Sequence, residues 1–212
     1  MRGILLFSLI GVISLQSQPV IEGDTELRIN GIPFNLVWDN TPEEVQYGDG
    51  SLQIGAGEKT DLFRNPRGQT EVDNSPRILF EPEGHFLLSS KVRAEFATTF
   101  DAGVLVVYGD KESWAKLCFE FSPQKQPTIV TVVNKGVSDD SNHVPVTADH
   151  VSLRGAGPAA GALAYPHSPD GKTWHQARYI ALSSKGGYRV GFSAQSPTGG
   201  GCEATFSEIL YQ

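Results

Sequence analysis

Trp114-Ala115-Lys116-Leu117-Cys118-Phe119-Glu120-Phe121 repeats with a strict period of two. Ala115, Leu117, Phe119 and Phe121 fall on one side of the run; Trp114, Lys116, Cys118 and Glu120 fall on the other. Successive side chains of an extended chain point to opposite faces, so the run predicts a half-buried β-strand. Its apolar side belongs to a core. The other side carries an aromatic, a cation and a carboxylate in a row, and Trp is seldom left to water without a use. This strand is where a functional surface is expected.

The flanking sequence extends the pattern. Phe86, Leu88, Ser90, Val92, Ala94 and Phe96 alternate with Leu87, Ser89, Lys91, Arg93 and Glu95, and Val104 to Tyr108 is apolar on both faces, as in a central strand. Gly109-Asp110-Lys111-Glu112 turns that segment back into the opening run, a hairpin. Further strands are expected at Leu27 to Ile32, Phe34 to Trp38, Ser51 to Ala56, Ile78 to Glu81, Ile129 to Val133 and Val151 to Arg154. Ala162 to Tyr165, Arg178 to Leu182, Tyr188 to Gln195 and Ala204 to Leu210 complete the set, with turns such as Pro169-Asp170-Gly171 between them. Thr41-Pro42-Glu43-Glu44 is a small capping box with Pro at the first helical position, which predicts one helical turn. Many short strands without a sustained helical period predict an all-β sandwich of two packed antiparallel sheets.

At 212 residues the chain can bury one substantial core, and no repeat, linker or low-complexity tract divides it. A net charge of −7 without a basic stripe disfavours nucleic acid and anionic membrane as partners. Arg2 followed by the apolar run Gly3 to Leu15 reads as a signal peptide over residues 1–17, cut after Ser17. That run is shorter than the roughly 20 apolar residues of a membrane span. A single domain over 18–212 and a secreted or periplasmic location are therefore expected; the alternative is that the run is simply a first strand.

Cys118 and Cys202 are the only cysteines. One disulfide and two buried free thiols both fit, because pairing depends on Cα separation. His85, His143, His150, His167 and His175 show no metal-ligand spacing, and no metal or cofactor is expected. Ser138-Asp139-Asp140 places two carboxylates in an expected loop, where a solvated turn is favoured over a Ca²⁺ site. Ser196 to Gly201 is glycine-rich but lacks the Lys-Ser/Thr of a phosphate loop.

Several motifs then occur in a recognisable order: Lys59-Thr60-Asp61-Leu62-Phe63, Phe100-Asp101-Ala102-Gly103-Val104-Leu105, Trp114 to Glu120, Ile129 to Val133, Ser138-Asp139-Asp140, Ser168-Pro169-Asp170-Gly171 and Val190 to Pro197. Over roughly Trp38 to Ile209 the chain resembles the domain-of-unknown-function 1349 family, whose members are also described as regulation-of-enolase-type proteins. The resemblance implies a concanavalin A-like lectin/glucanase fold, a jelly-roll sandwich similar to the accessory domain of some β-xylosidases. It implies no established reaction, and the family holds intracellular and exported members. Family members often carry Trp after the Ser-Asp pair, where this chain has Asp140.

A sugar groove combines aromatic faces, on which C–H groups stack, with planar groups that pair with hydroxyls. Trp114, Lys116 and Glu120 share one strand face, with Lys116 and Glu120 about 13 Å apart at Cα. They are the leading ligand-binding candidates, Trp114 as stacking platform; an ordinary ion-paired surface is the plainer reading. Asp61 and Asp101 read first as loop caps. Asp61, Asp139 and His167, which precedes Ser168-Pro169-Asp170-Gly171, are further binding candidates. Two-carboxylate hydrolysis is disfavoured, because glucanases of this fold commonly use Glu-x-Asp-x-Glu on one strand, and Glu120 has Cys118 and Lys116 at those spacings. The expected function is carbohydrate binding through a groove on the concave sheet. A glycan-active hydrolase or lyase without the standard carboxylate pair, and an intracellular regulatory partner of a metabolic enzyme, are the alternatives.

Overall fold

A computed structural model describes residues 18–19, 26–68, 70–158 and 161–212; the expected leader at 1–17 lies outside the described residues. Two eight-stranded antiparallel sheets pack face to face. The first runs β1 (Gln18–Pro19), β4 (Glu44–Gly48), β5 (Ser51–Gly57), β18 (Gly201–Tyr211), β9 (His85–Ala94), β14 (His150–Pro158), β15 (Gly161–Ser168) and β16 (His175–Leu182). The second runs β13 (Ser138–Pro145), β12 (Pro127–Lys135), β11 (Ser113–Phe121), β10 (Ala102–Asp110), β17 (Arg189–Gln195), β8 (Arg77–Phe80), β3 (Asn35–Asp39) and β2 (Glu26–Arg28). A short ribbon of β6 (Leu62–Arg64) and β7 (Glu71–Asp73) stands apart from both sheets. Among the described residues no helix is long and apolar enough to cross a membrane.

Alternation builds the core between the sheets. Ala115, Leu117 and Phe119 of β11 point inward beside Leu105 and Val107 of β10 and Phe192 of β17. They meet Val92 of β9, Val151 and Leu153 of β14 and Phe206 of β18. Each large apolar side chain so buried contributes roughly 1.5–3 kcal/mol of hydrophobic free energy.

The opposite face of the second sheet is covered too, which the half-buried expectation for β11 did not include. Leu62 of β6 packs with Trp114 and Cys118 of β11, Val104, Val106 and Tyr108 of β10, and Val130 and Val132 of β12 in a second apolar cluster. The cover exists because the chain leaving β5 crosses this sheet. Thr60 N–H donates to the Ser196 carbonyl, and Ser196 N–H to the Thr60 carbonyl, each at 3.2 Å. Strand β11 is thus buried on both faces, like the central strand it pairs with.

Two local expectations are corrected. Thr41 to Glu44 form no helical turn: Glu44 opens β4 and Glu43 N–H donates to the Gly55 carbonyl at 3.0 Å. Val45 and Tyr47, two apart, pack on the core, so period two wins over a capping box with no apolar run of period 3.6 behind it. Ser138, Asp139 and Asp140 lie in β13 rather than a loop, so the two carboxylates point to opposite faces. Cys118 and Cys202 are both free and buried. Burial pushes both thiols up, Cys202 to about 12.

Candidate functional site

Lys116 leaves β11 on the outer face, between Val106 of β10 and Val132 of β12. It is only 3% exposed. Its ammonium donates to Asp61 Oδ1 at 2.9 Å and to Gln195 Oε1 at 2.8 Å. Asp61 is delivered by the Thr60–Ser196 bridge and clamped by its own backbone. Its N–H donates to Asn74 Oδ1 at 2.9 Å, and its carbonyl accepts from the Asn74 and Ser75 N–H groups at 3.0 Å. Asp61 Oδ1 also caps the Leu62 N–H at 2.7 Å, so the residue is a loop cap and an ion-pair partner at once.

Gln195, at the end of β17, continues the network by donating from Nε2 to the Phe100 carbonyl at 3.0 Å. Phe100 has a φ of 75°, a left-handed conformation that a bulky residue rarely adopts. Its neighbour Asp101 holds it there. The fully buried Asp101 carboxylate accepts from Ala97 N–H (2.9 Å), Thr98 N–H (2.7 Å), Thr98 Oγ1 (3.0 Å) and Ser196 Oγ (2.7 Å). Backbone strain of this kind, about 1–3 kcal/mol, persists only where the surroundings over-determine it, and it concentrates at functional sites. Its result is a Phe100 side chain left 37% exposed.

Glu120 lies on the same face of β11, beside Ala102 and Thr128. It is 6% exposed, and among the described residues no protein donor meets its carboxylate. Instead it lines a pocket of about 390 Å³ with Lys116, Asp61, Gln195, Asp140 and the rings of Phe63 and Phe100. Burial, the largest single influence, would lower the Lys116 ammonium, but Asp61, Cys118 and Glu120 together outweigh it and the net shift is upward, so Lys116 is charged. Burial pushes the Glu120 carboxyl up to about 8; Lys116 opposes this, while Asp61 and Asp140 add to it. At neutral pH Glu120 is therefore largely protonated and can donate a hydrogen bond.

Lys116, Glu120 and Asp61 thus share one pocket; three other candidates do not. Trp114 is 2% exposed beneath Leu62, so its ring belongs to the second apolar cluster and offers no stacking face. Asp139 points away from the pocket and pairs with Arg178 Nη2 of β16 at 2.6 Å. His167 borders a different cavity, of about 610 Å³, with His143 and His175. Its ring lies 5.7 Å from that of His175, and burial lowers its pKa, with His175 and His143 adding. The two cavities adjoin at Asn142, which lines both. Among the described residues no three His, Cys, Asp or Glu side chains are grouped to hold a metal ion.

Sequence reasoning passed over Gln195, Phe63, Phe100 and Asp140 as site residues. Asp140 was within reach: treating Ser138 to Pro145 as a strand puts Asp140 and Asn142 on one face. Gln195 closes a strand and carries no local signal of its partner. Nothing in Phe100-Asp101 announces a positive φ.

Fold and site together define a β-sandwich of two antiparallel sheets with a polar pocket on the outer face of one of them. The chain belongs to the family of proteins of unknown function DUF1349, whose model matches residues 38–212. No curated protein shows significant similarity to it. Among solved structures, a functionally unknown protein from Saccharomyces cerevisiae is 28% identical, with a TM-score of 0.77 over 84% of this chain and 95% of that one. The GH43 protein BlXynB from Bacillus licheniformis is 18% identical, with a TM-score of 0.67 over 84% of this chain and 36% of that one. A xylan β-1,4-xylosidase from Bacillus halodurans C-125 is 19% identical, with a TM-score of 0.62 over 77% of this chain and 33% of that one. The chain therefore spans about a third of those two enzymes, and the likeness to them is one of fold.

Proposed function

We propose that the protein binds a carbohydrate in the pocket lined by Lys116, Glu120, Asp61 and Gln195, with Phe100 in place of Trp114 as the aromatic platform. The observation that carries this reading is the convergence of buried ionic and amide groups beneath an exposed aromatic ring fixed at a strained backbone position. Carboxyl, ammonium and amide groups complement sugar hydroxyls, and the ring complements a C–H face. At about 390 Å³ the pocket lies at the small end of ligand sites, about 300–1,000 Å³, which suits a short saccharide or chain end. Similarity in fold to a xylan-named enzyme places xylo-oligosaccharides among the first probes. The test is a glycan array followed by NMR titration of wild type and Phe100→Ala. Binding to at least one glycan, weakened severalfold by the substitution, is expected; a folded protein that binds none rules the reading out. With the leader at residues 1–17, the protein would meet its ligand outside the cytoplasm; an intact Met1 on the mature protein, by mass spectrometry, would exclude export.

A second reading, glycan hydrolysis, is favoured by one observation. A carboxyl with a pKa of about 8 is in the state of a general acid at neutral pH, and Asp140 brings to the same pocket a second carboxylate that β11 itself lacks. Product analysis on any glycan that binds, with Glu120→Gln as control, separates an enzyme from a binder.

A further inference from the structure

The charges of the pocket do not balance. Asp61 is matched by Lys116 at 2.9 Å. Glu120 and Asp140 line the same pocket and, among the described residues, neither has a cation within ion-pair distance. The Arg178 guanidinium of β16, in the opposite sheet, is committed to Asp139. Glu120 is 6% exposed, so its carboxyl is withdrawn from water yet open to whatever enters. The rings of Phe63 and Phe100 stand in the same wall, and an aromatic face attracts a cation within about 6 Å.

We propose that the pocket selects a sugar that carries a primary amine, its ammonium received by Glu120 and Asp140 beside the Phe100 ring. This rests on the carbohydrate reading above and narrows it to amino sugars. A sugar acid would add a negative charge beside Asp140, with Lys116 already committed to Asp61. A neutral sugar would leave the carboxyl pair uncompensated, held in check only by a proton on Glu120. A bare metal ion fits poorly, because no three ligating side chains are grouped to hold one among the described residues. An ammonium supplies the missing charge together with donors for both carboxylates.

A proton balance follows. The groups that face Glu120 are Lys116 and Cys118 on its own strand, Asp61 from the crossing segment and Asp140 on β13. With the Glu120 carboxyl pushed up to about 8, an arriving ammonium ionises it at pH 7 and expels its proton to solvent. Ammonium binding should therefore release a substantial fraction of one proton per ligand, reduced by whatever the amine itself takes up at pH 7, and neutral-sugar binding none.

The experiment is calorimetric titration at pH 7 in two buffers of different ionisation enthalpy, with glucosamine, N-acetylglucosamine, glucose and ethanolamine as probes. Expected results are at least tenfold tighter binding of glucosamine than of the two neutral sugars, with proton release seen only for the amine. In Glu120→Gln, shown folded by its thermal transition, the preference should drop below threefold and the proton release should vanish. Asp140→Asn, an exposed position, serves as the second variant and should reduce the preference without removing the proton release. Equal binding of amine and neutral sugars overturns this inference and leaves the carbohydrate reading standing. Ethanolamine binding as tightly as glucosamine, with no neutral sugar bound, overturns the sugar assignment in both. Binding of no probe overturns the amino-sugar assignment.

Discussion

The Lys116 ammonium donates to the Asp61 carboxylate at 2.9 Å across 55 positions of sequence, and this pair ties the crossing segment to the face of β11. Removing one partner of a buried pair strands the other charge, at a cost of roughly 3–5 kcal/mol. With side-chain exposures of 3% for Lys116 and 17% for Asp61, Asp61→Asn is expected near the low end, about 3 kcal/mol. Urea unfolding measures it. The double variant Asp61→Asn, Lys116→Met should recover most of the loss, because it removes both charges; a double variant as unstable as the single one would refute a charge-based cause.

The raised Glu120 carboxyl links stability to pH. Its pKa is about 8 in the folded protein and about 4.3 in an unfolded chain. Between these values the folded state holds the extra proton. The contribution of Glu120 is therefore most favourable below the unfolded value, declines as pH rises through the window, and levels off above about 8. The decline amounts to a few kcal/mol as an order of magnitude. Glu120→Gln should melt close to wild type near pH 5 and several degrees above it near pH 8.5. A variant with the same pH slope as wild type would show that Glu120 is ionised and paired throughout.

Phe100 separates strain from binding. Because Gly accepts positive φ freely and Phe100 is 37% exposed, Phe100→Gly should alter stability by no more than about 1 kcal/mol. The same change should weaken ligand binding about three- to tenfold through loss of the ring. Asp101→Ala is the contrasting case. It leaves two backbone N–H groups and two hydroxyls without their fully buried acceptor, and a loss of about 2–3 kcal/mol is expected in chemical denaturation.

Trp114 should behave as a core residue. Trp114→Ala is expected to cost about 3–5 kcal/mol through the cavity beneath Leu62. Trp114→Phe, which keeps most of the apolar volume, should bind ligand as wild type does. Binding lost in a stably folded Trp114→Phe would return Trp114 to the site.

Neither cysteine should react in the native state. Cys118 and Cys202 are buried and free, and burial keeps both thiols protonated. A thiol reagent should titrate none in buffer and two in denaturant, without prior reduction.

What could be read along the chain was whatever repeats locally. The alternation of Trp114 to Phe121 placed β11 correctly, and the doubly apolar Val104 to Tyr108 placed β10 beside it. Asp61, Lys116 and Glu120 were singled out one by one, each as a polar residue in an informative setting. Their meeting was hidden, because Asp61 reaches Lys116 only after the chain from β5 crosses the sheet and bridges to Ser196. The same crossing covers Trp114, which turned the most conspicuous aromatic of the strand from a platform into core. Thr41 to Glu44 and Ser138 to Asp140 were misread for the opposite reason: short polar signals were taken at face value where sheet pairing overrode them.

The amino-acid sequence alone determines that this protein is an all-β sandwich, because period-two burial and turn residues are local properties that survive without knowledge of any partner; its membership of the DUF1349 family rests on the match over residues 38–212. Only the tertiary structure decides which face of β11 is usable, and where. A side chain's exposure, its ion-pair partner and its proton affinity depend on segments remote in sequence. The crossing from β5 seals Trp114, pairs Lys116 with Asp61, and leaves Glu120 buried in the pocket wall without an ion-pair partner among the described residues.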